Sequence, residues 1–129
     1  MSRKKNISKE DLIKEITTAD AKLINLQREL KEKLSNSEQQ SPILENISGQ
    51  VITWNKLLLL LENSTTEESL KEILRLSFTA FTQCKMRTDI IIAILQAKRF
   101  DSRVLSLTKS YHDDLANVCD NLLKEYKVS

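Results

Sequence analysis

From Lys9 to Leu34, apolar residues recur in alternating steps of four and three: Leu12, Ile16, Ala19, Leu23, Leu26 and Leu30. This spacing predicts an amphipathic helix with one narrow apolar seam. Ser8 precedes it as an N-cap, and Asp11 three residues on completes a capping-box-like pattern. The polar stretch 35–41 predicts a loop. Ser41-Pro42 predicts a new helix start, because proline at the first helical position loses no hydrogen bond. The second helix runs to about Leu61 and carries Ile43, Ile47, Val51, Ile52 and Trp54, then Leu57 to Leu61. Five consecutive leucines point all round a helix, so this end is expected to be buried on most sides or partly open to a partner.

Asn63 to Thr66 breaks the pattern, and Thr66 followed by two acids reads as the N-cap of a third helix. Leu70, Ile73, Leu74, Ser77 and Phe81 fall on its inner face. A fourth helix, central and buried, is expected from about Arg87 to Lys98, the most apolar segment of the chain, with Ile90, Ile91, Ile92, Ile94 and Leu95. Arg99 to Ser102 predicts a turn, with Asp101 or Ser102 capping the next helix. Val104, Leu105, Thr108 and Tyr111 begin this fifth helix. Asp113 and Asp114 mark the start of a sixth, or lie within a continuation of the fifth.

Composition supports helices throughout. Gly49 and Pro42 are the only residues of their kinds among 129, whereas sheets need turns that usually draw on both. The class is all-α. The net charge of +2, with both signs interspersed, argues against direct nucleic-acid binding. Arg3, Lys4 and Lys5 form the one basic cluster, and residues 1–8 are expected to be a disordered tail. Cys84 and Cys119 read as reduced helix residues, which with no signal-peptide pattern at the start points to an intracellular protein. The leucine run is too short to span a bilayer. His112 is the sole histidine, and neither a phosphate-cradling glycine loop nor a nucleophile motif is present. The expectation is therefore no enzyme, no metal, no cofactor and no small-molecule ligand.

Binding to other proteins remains, and two places combine apolar residues with charges. One is Leu61-Glu62-Asn63; the other is Lys98-Arg99-Phe100, where an aromatic sits in a turn behind two cations. A phenylalanine there either folds back onto the core as part of a cap or stays exposed as an anchor. The segment Thr88-Asp89-Ile90-Ile91-Ile92-Ala93-Ile94-Leu95-Gln96-Ala97-Lys98-Arg99-Phe100 resembles the integrase-binding domain of lens epithelium-derived growth factor. That domain is a variant of the N-terminal domain of transcription elongation factor TFIIS. Leu70, Ile73 and Leu76 fit the spacing of the family's preceding helix, and Leu61-Glu62-Asn63 is similar to its apolar–acidic–Asn loop.

The resemblance implies a compact right-handed bundle of about five helices over residues 43–129, with the long helix and polar loop of 9–42 as an addition. It also implies a nuclear adaptor. Two inter-helix loops would together clamp short disordered motifs, acidic and containing Phe, of chromatin- or transcription-associated proteins. Glu62 would accept hydrogen bonds from the motif's backbone, while Leu61 and Phe100 line the pocket. Lys98 and Arg99 would attract its acids, and Val104 would stand in for the family's pocket valine, whose place is taken by Ser102. A second alignment sets Asp20-Ala21-Lys22-Leu23 in the family's first helix and moves the acidic role to Glu38 or Glu45. The alternative function is a structural bundle that dimerises through the heptad-like first helix; the adaptor reading expects a monomer.

Overall fold

The computed structural model describes residues 7–34 and 40–126. Four α-helices make up the described fold: α1 (Lys9–Lys33), α2 (Gln40–Glu62), α3 (Glu67–Ala97) and α4 (Ser102–Glu125). Each packs on its sequence neighbours, and α1 closes the ring against α4. Short connections make successive helices antiparallel. Cross-helix bonds agree. Lys9 Nζ donates to the Ser64 carbonyl at 3.1 Å at one pole, and Arg103 faces Glu29 at 3.6 Å toward the other. The core is a central column of Leu, Ile and aromatic side chains drawn from all four helices.

The first helix forms as its pattern predicts, with all six seam residues buried and Ser8 Oγ accepting from the Asp11 amide at 3.1 Å. It is one quarter of the bundle and no addition to a separate one. Its seam is spent against α2 and α4, so a dimer built on that seam requires the bundle to open. Ile7, expected in the tail, is buried; residues 1–6, with Arg3, Lys4 and Lys5, and most of the 35–41 loop, including Glu38, lie outside the described residues.

The expected break before Arg87 is absent and, of the two alternatives open at Asp113-Asp114, the continuous helix is the one formed, which leaves four helices among the described residues. Between Phe81 and Arg87 no Gly or Pro interrupts the chain. Phe81, Cys84, Thr88, Ile91 and Leu95 continue the buried stripe of Ile73, Leu74, Ser77 and Ala80 in unbroken helical register. Polar residues on that stripe are tolerated because their hydroxyls bond back one turn: Ser77 Oγ to the Ile73 carbonyl and Thr88 Oγ1 to the Cys84 carbonyl, both at 2.7 Å. In α4 the stripe Val104, Thr108, Tyr111, Leu115, Cys119 and Leu122 runs straight past Asp113 and Asp114. Those acids are side chains of a continuing helix, and Asp114 receives Lys22 of α1.

Candidate functional site

The α2–α3 turn is built by reciprocal capping. Ser69 N–H donates to Thr66 Oγ1 at 3.0 Å, and Thr66 N–H donates back to Ser69 Oγ at 3.3 Å. Of the three residues expected to bind here, Leu61 is a fully buried core residue. Asn63 is spent on the helix end, its Nδ2 donating to the Leu59 carbonyl at 3.0 Å. Glu62 and Asn63 are both exposed, Glu62 without a bond to the helix end.

The α3–α4 turn is a Schellman cap. Phe100 N–H donates to the Leu95 carbonyl at 3.1 Å and Arg99 N–H to the Gln96 carbonyl at 3.2 Å. Arg99 takes the left-handed position with φ 54°, where glycine is usual. Phe100 then folds onto the core as the apolar contact that accompanies such a cap, which is the capping alternative of the sequence reading. Val104 is buried as well, and its amide donates to Asp101 Oδ1 at 3.3 Å as part of the α4 cap. Lys98 and Arg99 are exposed.

These two turns stand at opposite ends of α3. A 31-residue helix is about 46 Å long, so one short motif cannot touch both, and the clamp expected from joint action of the loops is not assembled. The cause is the continuous α3: a five-helix bundle would break near residue 84 and fold the chain back. The alternative acid, Glu45, is exposed on α2.

The apolar surface lies elsewhere. Among the described residues, six of the eight exposed large hydrophobics belong to α2 and α3: Ile52, Leu59, Leu60, Leu76, Met86 and Ile90. Met86 is 60% exposed and Ile90 57%, far more than a core-facing helix stripe leaves open. Met86, Arg87 and Ile90 line a shallow concavity with Gln83 and Asp89. Beyond Ile90, in steps of four, come half-buried Ile94 and exposed Lys98. Arg87 crosses the α2–α3 seam here, with Nη1 at 2.7 Å from where a Cβ on Gly49 would stand; the glycine leaves the room its guanidinium uses. Arg87 thus stands at this apolar surface, with Lys98 one turn beyond Ile94 on α3 and Lys56 exposed on α2. Sequence reasoning placed Ile90 in a central buried helix and missed this surface. The signal was available, since Met86, Ile90 and Leu76 fall outside the buried step pattern.

Behind the stripe the core holds a polar network. Trp54 Nε1 donates to the Tyr111 hydroxyl at 3.1 Å, which donates to Gln50 Oε1 at 2.8 Å. Gln50 Nε2 donates to Asn46 Oδ1 at 2.9 Å and reaches Thr88 Oγ1 at 3.4 Å. Asn46 Nδ2 donates to the Arg87 carbonyl at 3.1 Å. Every proton has a consistent assignment, and the network ties α2 to both α3 and α4 across the core. Trp54 also meets Phe81, ring centres 4.7 Å apart. Burial pushes the Tyr111 hydroxyl far up, and it pushes the Cys84 thiol from 9.0 up to about 12 despite Arg87 nearby. Cys119 is also shifted up by burial, so both free thiols are held as inert S–H groups.

His112 sits with Nε2 2.7 Å from Asp89 Oδ1 and Nδ1 3.5 Å from Asp113 Oδ1. The ring N–H is not aimed along the shorter contact, so this approach of α4 to α3 is a close polar contact and no hydrogen bond. Among the described residues no group of three or more His, Cys, Asp or Glu side chains is placed to hold a metal ion, and no helix is long and apolar enough to cross a membrane. No family model, curated protein or solved structure matches the chain.

Proposed function

We propose that the chain is a non-enzymatic protein-interaction adaptor whose α2–α3 face takes short acidic, Phe-containing segments of partner proteins. The observation that carries this is the concentration of exposed large hydrophobics on two adjacent helices, with Arg87 among them and Lys98 and Lys56 exposed on the same two helices. An apolar patch of this kind marks an interaction surface, and cations on the same helices favour acidic partners. A phenylalanine would lie against Met86 and Ile90, with flanking acids toward Arg87 and Lys98. From Met86 to Lys98 the helix rises about 18 Å, the reach of a segment of roughly six extended residues. The resemblance of residues 88–100 adds nuclear chromatin- and transcription-associated proteins as the source of such segments. Glu62, at the far pole, has no part in this site.

The test is isothermal titration of the full chain with a synthetic peptide carrying Phe between Asp and Glu residues. Binding near 1–10 μM, worth about −7 to −8 kcal/mol, is expected for wild type. Ile90→Glu and Arg87→Glu, each shown to be folded by circular dichroism, are expected to weaken it more than tenfold, and Glu62→Lys to leave it intact. Absence of heat with the acidic peptide, or equal binding by all variants, refutes the reading.

A further inference from the structure

The ring of helix contacts puts the α1–α4 seam across the bundle from the α2–α3 face. That seam is not fully closed. Ala19 of α1 is too small to fill it and Val118 of α4 is only half-buried beside it, with the fully buried Phe81 and Leu115 closing the space beneath. The groove measures about 270 Å³ and is lined mainly by carbon. That is just under the span of small-molecule pockets and ample for one or two side chains.

Its rim carries two carboxylates with different circumstances. Asp114 is engaged by Lys22, which also donates to Ser110 Oγ at 3.1 Å. Glu15 is half-buried, and among the described residues no cation stands within ion-pair distance of it. Burial is the main cause pushing its carboxyl above the usual range; Lys14 pulls it back, and Asp11 and Glu125 push it further up. An apolar slot beside a carboxylate with no cation at ion-pair distance is complementary to a side chain pairing hydrocarbon with a positive charge.

We infer that this groove is a docking slot for a basic segment of a partner protein, seating an aliphatic side chain between Ala19 and Val118 and a neighbouring lysine or arginine on Glu15. The inference goes beyond the α2–α3 reading and stands on different residues. Together the two faces give the bundle opposite charge preferences on its two sides, so that one domain joins an acidic segment to a basic one.

The test is an NMR titration of the full, isotopically labelled chain with a peptide alternating Leu with Lys and Arg, against the same peptide with Glu at the basic positions. Saturable shifts at Ala19, Leu115 and Val118 with the basic peptide alone are expected. Glu15→Gln should weaken that binding about tenfold, the scale of one hydrogen bond to a charged group. Asn117→Lys, which adds a cation at the rim, should weaken it comparably. Ile90→Glu should leave it unchanged, which separates this site from the other face. No shifts at these residues at millimolar peptide, equal binding of the Glu peptide, or wild-type affinity in both folded rim variants overturns the inference.

Discussion

Tyr111→Phe is the sharpest probe of the core. The ring stays and only the hydroxyl goes, yet that oxygen is the hinge of the buried network. It accepts from Trp54 Nε1 at 3.1 Å and donates to Gln50 Oε1 at 2.8 Å, in a residue 1% exposed. Its removal strands an indole N–H and weakens the satisfaction of an amide carbonyl. A buried polar group left without its partner costs about 1–3 kcal/mol. Gln50 Oε1 keeps a long 3.5 Å contact from Thr88 Oγ1, which places the second penalty at the low end. The expected loss is about 3 kcal/mol, a large share of the roughly 5–15 kcal/mol that such domains possess. Urea unfolding followed by circular dichroism measures it, with the midpoint falling and the slope against denaturant unchanged. Gln50→Leu added to Tyr111→Phe should cost at least about 1 kcal/mol less than Gln50→Leu alone, because the two residues share one interaction. A loss under about 1 kcal/mol for Tyr111→Phe, or strict additivity of the pair, refutes the claim that the network is satisfied internally.

Arg99→Gly should stabilise the fold: a non-glycine residue in the left-handed region costs about 1–2 kcal/mol, glycine's extra unfolded-state freedom returns about 0.5–1 kcal/mol, and a net gain of roughly 0.5–1 kcal/mol should appear in the same urea experiment. For Cys84, the folded thiol holds its proton from pH 9.0 up to about 12 while the unfolded thiol ionises. Stability is therefore level below pH 9 and falls above it by about 1.4 kcal/mol per pH unit from this group; Cys84→Ala should flatten that part of the alkaline slope. Asp20 has a buried, unpartnered Oδ1, and burial raises its carboxyl above 3.8, so stability falls as pH rises from 3.8 to the raised value and stays lower above it. Asp20→Asn should be more stable than wild type at pH 7, and the gain should vanish as pH falls below 3.8; no difference at pH 7 counts against the burial argument.

Much of the helix content was legible because apolar spacing encodes it directly. The six-residue seam of α1 and the caps at Ser8, Thr66 and Asp101 appear where the pattern puts them. The false break before Arg87 and the open choice at Asp113-Asp114 arose from polarity. Thr82 to Arg87 and His112 to Asp114 are polar enough to resemble turns, yet helical register passes through them because Thr88 and Tyr111 belong to the buried stripe in spite of their polar atoms. Residue type hid Gln50 in the same way, although its position three after Ile47 and four before Trp54 marks it as inward. The joint-loop site failed for a topological reason: loops that meet in a five-helix chain are driven to opposite poles when two helices fuse. Charge next to apolar residues was visible at Lys98 and Arg99, but the exposure of Met86 and Ile90 depends on how α2 and α3 rotate about their axes, which only packing decides.

The placement of Trp54 has a practical corollary. It is the sole indole in the chain, fully buried, bonded to Tyr111 and against Phe81, and it contributes to neither outer seam. Its ultraviolet emission is therefore a built-in optical gauge of the interior alone. Ligands that settle on either face should leave the spectrum where it is. A red shift on adding a ligand would announce that the ligand had prised the helices apart, a distinction that no externally attached dye offers as directly.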